Sequence, residues 1–203
     1  MKRVYHTLFM ISTTFIPFIG HQVVAYLTFC RQEDSSRHPA WCSNKPPFIY
    51  SYVQGKYWNV GFLRYWTTSQ LPNFFICAPV LALLLWFSTH HIRLVLFPYV
   101  LHDTIPHFSG HSDPKPPSVV KPSPLLSLKF APHALHALLL SLILLFASHT
   151  QIILRLAASM PFTYWAAAYL LLEHPTWGKS WVTWSVVWGA ISIVLWATFL
   201  PPA

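Results

Sequence analysis

Acidic side chains are scarce in this chain. Its 203 residues hold five, Glu33, Asp34, Asp103, Asp113 and Glu173, and each lies outside the strongly apolar runs. Charged residues make up 9% of the sequence, against about a quarter in soluble domains, while hydrophobic residues make up 54% and mean hydropathy is +0.44. That shortage of charge argues against a soluble domain. The long apolar runs also lack Asp, Glu, Lys and Arg, which argues against a transporter that couples substrate to ions through intramembrane carboxylates. Six glycines form no phosphate-cradling loop, and no Gly-x-Ser-x-Gly, His-Glu-x-x-His or Asp-x-Asp pattern occurs. No repeat or heptad occurs either.

Long uncharged stretches dominate what is present. A helix needs about 20 apolar residues to cross a bilayer. Spans are expected at about 4–29, 73–92, 133–154 and 181–200, with a fifth, shorter stretch at 158–172 containing Pro161, either a kinked span or a re-entrant segment buried against other helices. The fold class is therefore all-α: a polytopic helical membrane protein of four to five spans in a single membrane domain, 1–203. The first run, after Met1-Lys2-Arg3, is longer than the apolar core of a signal peptide and lacks a small-x-small cleavage site, so it reads as a retained span or signal anchor. Pro17 lies within it.

Two polar segments interrupt the spans. Residues 102–129 contain six prolines and read as an extended linker. Residues 30–72 hold a loop rich in aromatics. The 13 Lys and Arg give a net charge of +8, but they are scattered through short loops as flanks to membrane spans and not clustered for nucleic acid. Arg31, Arg37, Lys45, Lys56 and Arg64 would place the first loop in the cytoplasm by count, whereas Lys2 and Arg3 argue the opposite. Charge alone does not fix orientation.

Twelve histidines raise the question of a metal. The densest group, His102, Asp103, His107, His111 and Asp113, falls in the proline-rich linker, which supplies little of the rigidity that a zinc site needs. His133 and His136 read as helix-end groups at headgroup depth, and His21 as a neutral imidazole bonded to a neighbouring helix. No metal ligand, cofactor or catalytic residue is assigned. Cys77 reads as a small buried hydrophobe. Cys30 and Cys42 would bridge if their loop faces an oxidising lumen and stay reduced if it faces cytosol. Trp181, Trp184, Trp188 and Trp196 run near one face of the last span, as packing or an aromatic belt. The pair Glu33-Asp34 reads as a solvated turn.

The stretch "PAWCSNKPPFIYSYVQGKYWNVGFLRYWTTSQLPNFFICAPVL", residues 39–81, carries the sharpest signal. Trp41-Cys42, the segment from Tyr50 to Gln54, the run from Tyr57 to Tyr65, and Pro72 to Phe74 closely resemble the C-terminal half of the PIG-V family of glycosylphosphatidylinositol (GPI) mannosyltransferases. Weaker agreement continues in "MPFTYWAAAYLL" at 160–171 and the terminal "FLPPA".

The resemblance implies a partial bundle like that of the GT-C glycosyltransferases, multi-pass in the endoplasmic reticulum membrane. It implies transfer of the second, α-1,6-linked mannose from dolichol-phosphate-mannose to the GPI precursor. A small accessory membrane subunit is an implied partner, and nucleic acid is not. In the family the candidate catalytic acid lies in a first lumenal loop with no counterpart here. The chain thus reads as a C-terminal fragment or shortened paralogue, inactive alone. The loop would face the lumen, with Trp58, Asn59, Arg64, Gln70 and Asn73 meeting sugar and phosphate or else locking the loop onto the bundle. The alternative function is a non-catalytic membrane subunit that binds lipid-linked sugar or a partner protein.

Overall fold

The computed structural model describes residues 2–31, 38–104 and 123–198. Glu33, Asp34, His107, His111 and Asp113 lie outside the described residues, as do the side chains of His102 and Asp103. Eight α-helices and no strand occur among the described ones. Four segments are long and apolar enough to cross a membrane: Val4–Cys30, Thr68–Leu101, Leu128–Phe146 and Pro175–Ala197. The chain divides into two compact units, Met1–Gly61 and Phe62–Ala203.

The first unit is a long helix with a stapled loop. Helix α1, Lys2–Cys30, contains Pro17 and exposes most of its apolar surface. Gln22, Ala25 and Cys30 are its buried residues, spaced so that they share one face. Against that face pack a 3₁₀ turn at Ala40–Ser43 and helix α2, Ile49–Tyr57. Trp41, 2% exposed, fills the space between them, and the Gln22 Oε1 accepts the Tyr50 backbone N–H at 3.3 Å. Phe18 meets Phe48 and Tyr50 edge-on. His21, by contrast, is exposed on α1.

Cys30 and Cys42 form a disulfide, with Cα atoms 5.6 Å apart. It ties the turn carrying Trp41 to the end of α1. A closed loop of this size contributes about 3 kcal/mol on the chain-entropy account. Cys30→Ser is therefore expected to destabilise this unit by roughly that amount, read by thermal unfolding in detergent. Reduction of the unsubstituted protein should give the same loss, and should add nothing to the variant.

The second unit is a bundle around α3, Leu71–His91, which runs on through a π-helical turn at Ile92–Leu96 into α4, Phe97–Thr104. α3 packs against α5 (Ala131–Phe146), α6 (Ile152–Ser159) and α7 (Pro161–Glu173), and α7 packs against α8 (Pro175–Ala197). The face that α5 buries is a run of small residues, Ala131, Ala134, Ala137 and Ser141, ending in Leu144. Small side chains let two membrane helices approach closely, where dispersion and not water exclusion holds them. Phe87 and Phe162, ring centroids 5.1 Å apart, fill the centre with Leu84, Ile153 and Cys77.

The uncharged run through Leu154 does not stay one helix. α5 ends at Phe146, residues 147–151 turn, and α6 begins at Ile152. The stretch expected as a short fifth span is interrupted at Met160, where extended backbone precedes Pro161 and α7 starts afresh. Proline fits that first helical turn because its missing N–H has no partner to lose. α7 has 13 residues, fewer than a straight crossing requires.

Candidate functional site

Residues Phe62 to Asn73 fold over the C-terminal end of α5. A helix end leaves its last carbonyls without intrahelical donors, and the loop supplies them. The Leu63 backbone N–H donates to the Phe146 carbonyl at 2.6 Å, and the Trp66 Nε1–H to the Leu145 carbonyl at 2.7 Å. The Thr150 hydroxyl donates to the Leu144 carbonyl at 3.2 Å. Leu63 holds φ at 57°, a left-handed conformation that a branched side chain rarely adopts. Its bond to Phe146 offsets that cost locally.

Tyr65 is the hub of the loop. It is 8% exposed, and its hydroxyl donates to the Gln151 Oε1 at 2.6 Å while accepting from the Asn73 Nδ2 at 2.9 Å. The same Asn73 amide donates to the Gln70 Oε1 at 2.7 Å. Burial pushes the Tyr65 phenol above its usual range, partly countered by the Asn73 bond, so it remains a proton donor at neutral pH. Its ring lies 4.8 Å from His149 and 5.8 Å from Phe74. Trp66 stacks on Phe146 at 5.8 Å and 7°, and meets Phe74 edge-on at 5.3 Å.

The five sequence-derived candidates separate accordingly. Gln70 and Asn73 come together in the Tyr65 network, so both act in positioning the loop. Arg64, exposed, directly precedes that hub. Trp58 and Asn59 belong to the first unit. Trp58 follows α2 and is 61% exposed, and Asn59 takes a left-handed turn with φ of 50°, which asparagine tolerates well. Beside them, the Lys56 ammonium donates to the Tyr52 hydroxyl at 2.7 Å and lies 5.1 Å from that ring's centroid. The hydrogen bond raises the lysine pKa and keeps it cationic.

Four residues of the second-unit site escaped sequence reasoning: Phe146, His149, Thr150 and Gln151. A signal was present. "FASHTQ" is a polar break inside an otherwise apolar run, and such a break marks a helix end.

Exposed ring faces beside amide and cationic groups suit a sugar bearing a phosphate: flat apolar faces take a pyranose, and polar groups take its hydroxyls. Trp66 is 51% exposed and Phe62 74%. Among the described residues no group of three His, Cys, Asp or Glu side chains is placed to hold a metal. Glu173, the one carboxylate whose side chain is described, is exposed at the end of α7.

The sequence model of the family described as Mannosyltransferase (PIG-V) matches residues 1–203. GPI mannosyltransferase 2 of Cryptococcus neoformans var. neoformans serotype D (strain JEC21) is 37% identical over 202 residues, which cover 92% of this chain and 44% of that protein. GPI mannosyltransferase 2 of Yarrowia lipolytica is 32% identical, covering 92% of this chain and 40% of its own. GPI alpha-1,6-mannosyltransferase 2 of Rattus norvegicus is 33% identical, covering 81% and 37%. The chain spans about two-fifths of the length of these relatives. No solved structure matches it.

Proposed function

Because the chain belongs to the PIG-V mannosyltransferase family, we propose that it carries the lipid-sugar-binding part of the GPI mannosyltransferase 2 reaction. In that reaction a mannosyl group passes from a dolichol-phosphate-linked donor to a hydroxyl of the GPI precursor, forming an α-1,6 bond. Both substrates are anchored in the bilayer, so their heads meet at its surface. Each unit carries exposed aromatic and polar groups with the chemistry for such a meeting, Trp58 and Asn59 in the first and the loop from Phe62 to Asn73 in the second. Trp58 and Trp66 offer ring faces, Arg64 a cation for phosphate, and Asn59 an amide for hydroxyls. Gln70 and Asn73 hold Tyr65 and with it the shape of the loop.

The observation that carries this reading is the loop's pinning to the end of α5 through Leu63 and Trp66 and to Gln151 in the following turn through Tyr65, which presents aromatic faces from a fixed backbone. The Cys30–Cys42 disulfide supports placing the first unit's own loop on an oxidising side, as the lumen of the endoplasmic reticulum would be. An accessory membrane subunit would find contact surface on α1 and α8, both extensively exposed and apolar.

A chimera tests the proposal. The matched segment of the Cryptococcus enzyme is replaced by residues 1–203 and expressed in cells lacking their own GPI mannosyltransferase 2. Restored GPI-anchored protein at the cell surface is the expected result. A chimera that inserts in the membrane and restores none overturns the reading.

A further inference from the structure

Helix α1 holds its loop well below its own end. Arg3 and Arg31 flank the uncharged run and mark the two membrane surfaces. Val4–Cys30 between them is about 40 Å long at 1.5 Å per residue, which spans the hydrocarbon core and much of both headgroup layers. The disulfide fixes Cys42 beside Cys30, at the upper end. A few residues later the chain lies far deeper. The Phe48 and Tyr50 rings are 6.5 and 6.0 Å from that of Phe18, and the Tyr50 N–H donates to the Gln22 Oε1 at 3.3 Å. Gln22 and Phe18 lie about 12 and 18 Å inward of Cys30 by helical rise.

The descent is made by extended backbone at Asn44 and Phe48, on either side of Pro46-Pro47. Helix α2 then climbs back. Its Ile49 and Tyr52 pack on Ala25, Cys30 and Trp41, and its nine residues rise about 13 Å.

We propose that residues 39–57 form a re-entrant hairpin, extended on the way in and helical on the way out, whose outer face lines a water-filled recess in the membrane. Three observations carry this. Beyond Gln22, the side of α1 turned away from the hairpin stays apolar, with Val24 and Leu27 exposed, so this end of the helix belongs in hydrocarbon. The hairpin itself exposes Asn44, Lys45 and Ser51. An ammonium group at membrane depth is costly unless water reaches it, and non-helical backbone there must be buried in protein or border water. Finally, the Gln22 Nε2 is buried at the deepest point with no partner among the described residues. A water at the foot of the recess would accept its hydrogen bond.

Single cysteines in the full chain, carried in open membrane fragments, test the proposal. Cys30 and Cys42 are bridged and Cys77 is buried, so an added thiol is the reactive one. Ser51→Cys puts it on the hairpin. Val24→Cys puts it at similar depth, about 200° round α1 from Gln22. Hydrocarbon disfavours the thiolate, and each unit of raised pKa is about tenfold in rate, so a charged maleimide should react with Ser51→Cys at least about tenfold faster than with Val24→Cys. Bimane attached at Val24→Cys should be quenched by phosphatidylcholine bearing a nitroxide deep in its acyl chain. Equal reaction at the two positions would place the end of α1 outside the bilayer. That result, a Val24→Cys bimane left unquenched, or slow reaction at Ser51→Cys each overturns the proposal.

Discussion

Gly178→Ala is expected to force α7 and α8 apart and to cost about 3 kcal/mol, the upper end of what a single overpacked methyl usually costs. Gly178 is the buried residue of α8, and a Cβ built on it would lie 2.6 Å from the Cα of Leu171 and 2.9 Å from its backbone nitrogen. A flexible side chain could swing away from such a contact. A backbone cannot, so one helix must move. Because α8 begins two residues after α7 ends, movement at Gly178 shifts Trp181 and Trp184 with it. Gly20→Ala and Gly189→Ala serve as controls, since nothing lies within 4 Å of either added Cβ. Both should be neutral or gain up to about 1 kcal/mol from better helix propensity. Thermal unfolding of the three variants in one detergent gives the comparison, and a Gly178→Ala midpoint equal to the controls would show that the α7–α8 contact yields freely.

Length and apolarity made α1, α3, α5 and α8 legible in the sequence, because each must satisfy its own backbone within the bilayer. Their ends were less so. An uncharged run carried the third long span on to Leu154, yet α5 stops at Phe146. Ala147 to Gln151 carry no Asp, Glu, Lys or Arg, and still form a turn that caps carbonyls. α2 falls inside the aromatic-rich polar segment 30–72, where Gly55 and Lys56 break its apolar pattern. Its stability comes from Gln22 and Trp41, distant in sequence. The candidate site shows the same division. Gln70 and Asn73 stood out as amides in an aromatic stretch, but the role they take depends on Tyr65 bonding to Gln151, 86 residues away. Periodicity reports which face of a helix is apolar and carries no information on such pairs.

Expressed alone in cells lacking GPI mannosyltransferase 2, this chain is expected to restore no GPI-anchored protein at the surface. Transfer of a sugar to a hydroxyl needs a group that removes the hydroxyl proton from within about 2.6–3.2 Å, usually a carboxylate. Glu173 is the carboxylate whose side chain the structure describes, and its position is unsuited to the task. It lies one turn beyond Tyr169, whose ring packs against Trp86 at 6.0 Å and Phe87 at 5.1 Å. Gln70 and the loop are at the other end of α3, about 24 Å away by helical rise over 16 residues. Glu173 is also exposed to solvent. The same expression experiment with Glu173→Gln placed in the Cryptococcus chimera isolates the point. Rescue should match that of the unsubstituted chimera, because the substitution removes a carboxylate far from the loop. Rescue by the chain alone, lost on Glu173→Gln, would instead place the proton transfer at the α7 end of the bundle and move the reacting hydroxyl there with it.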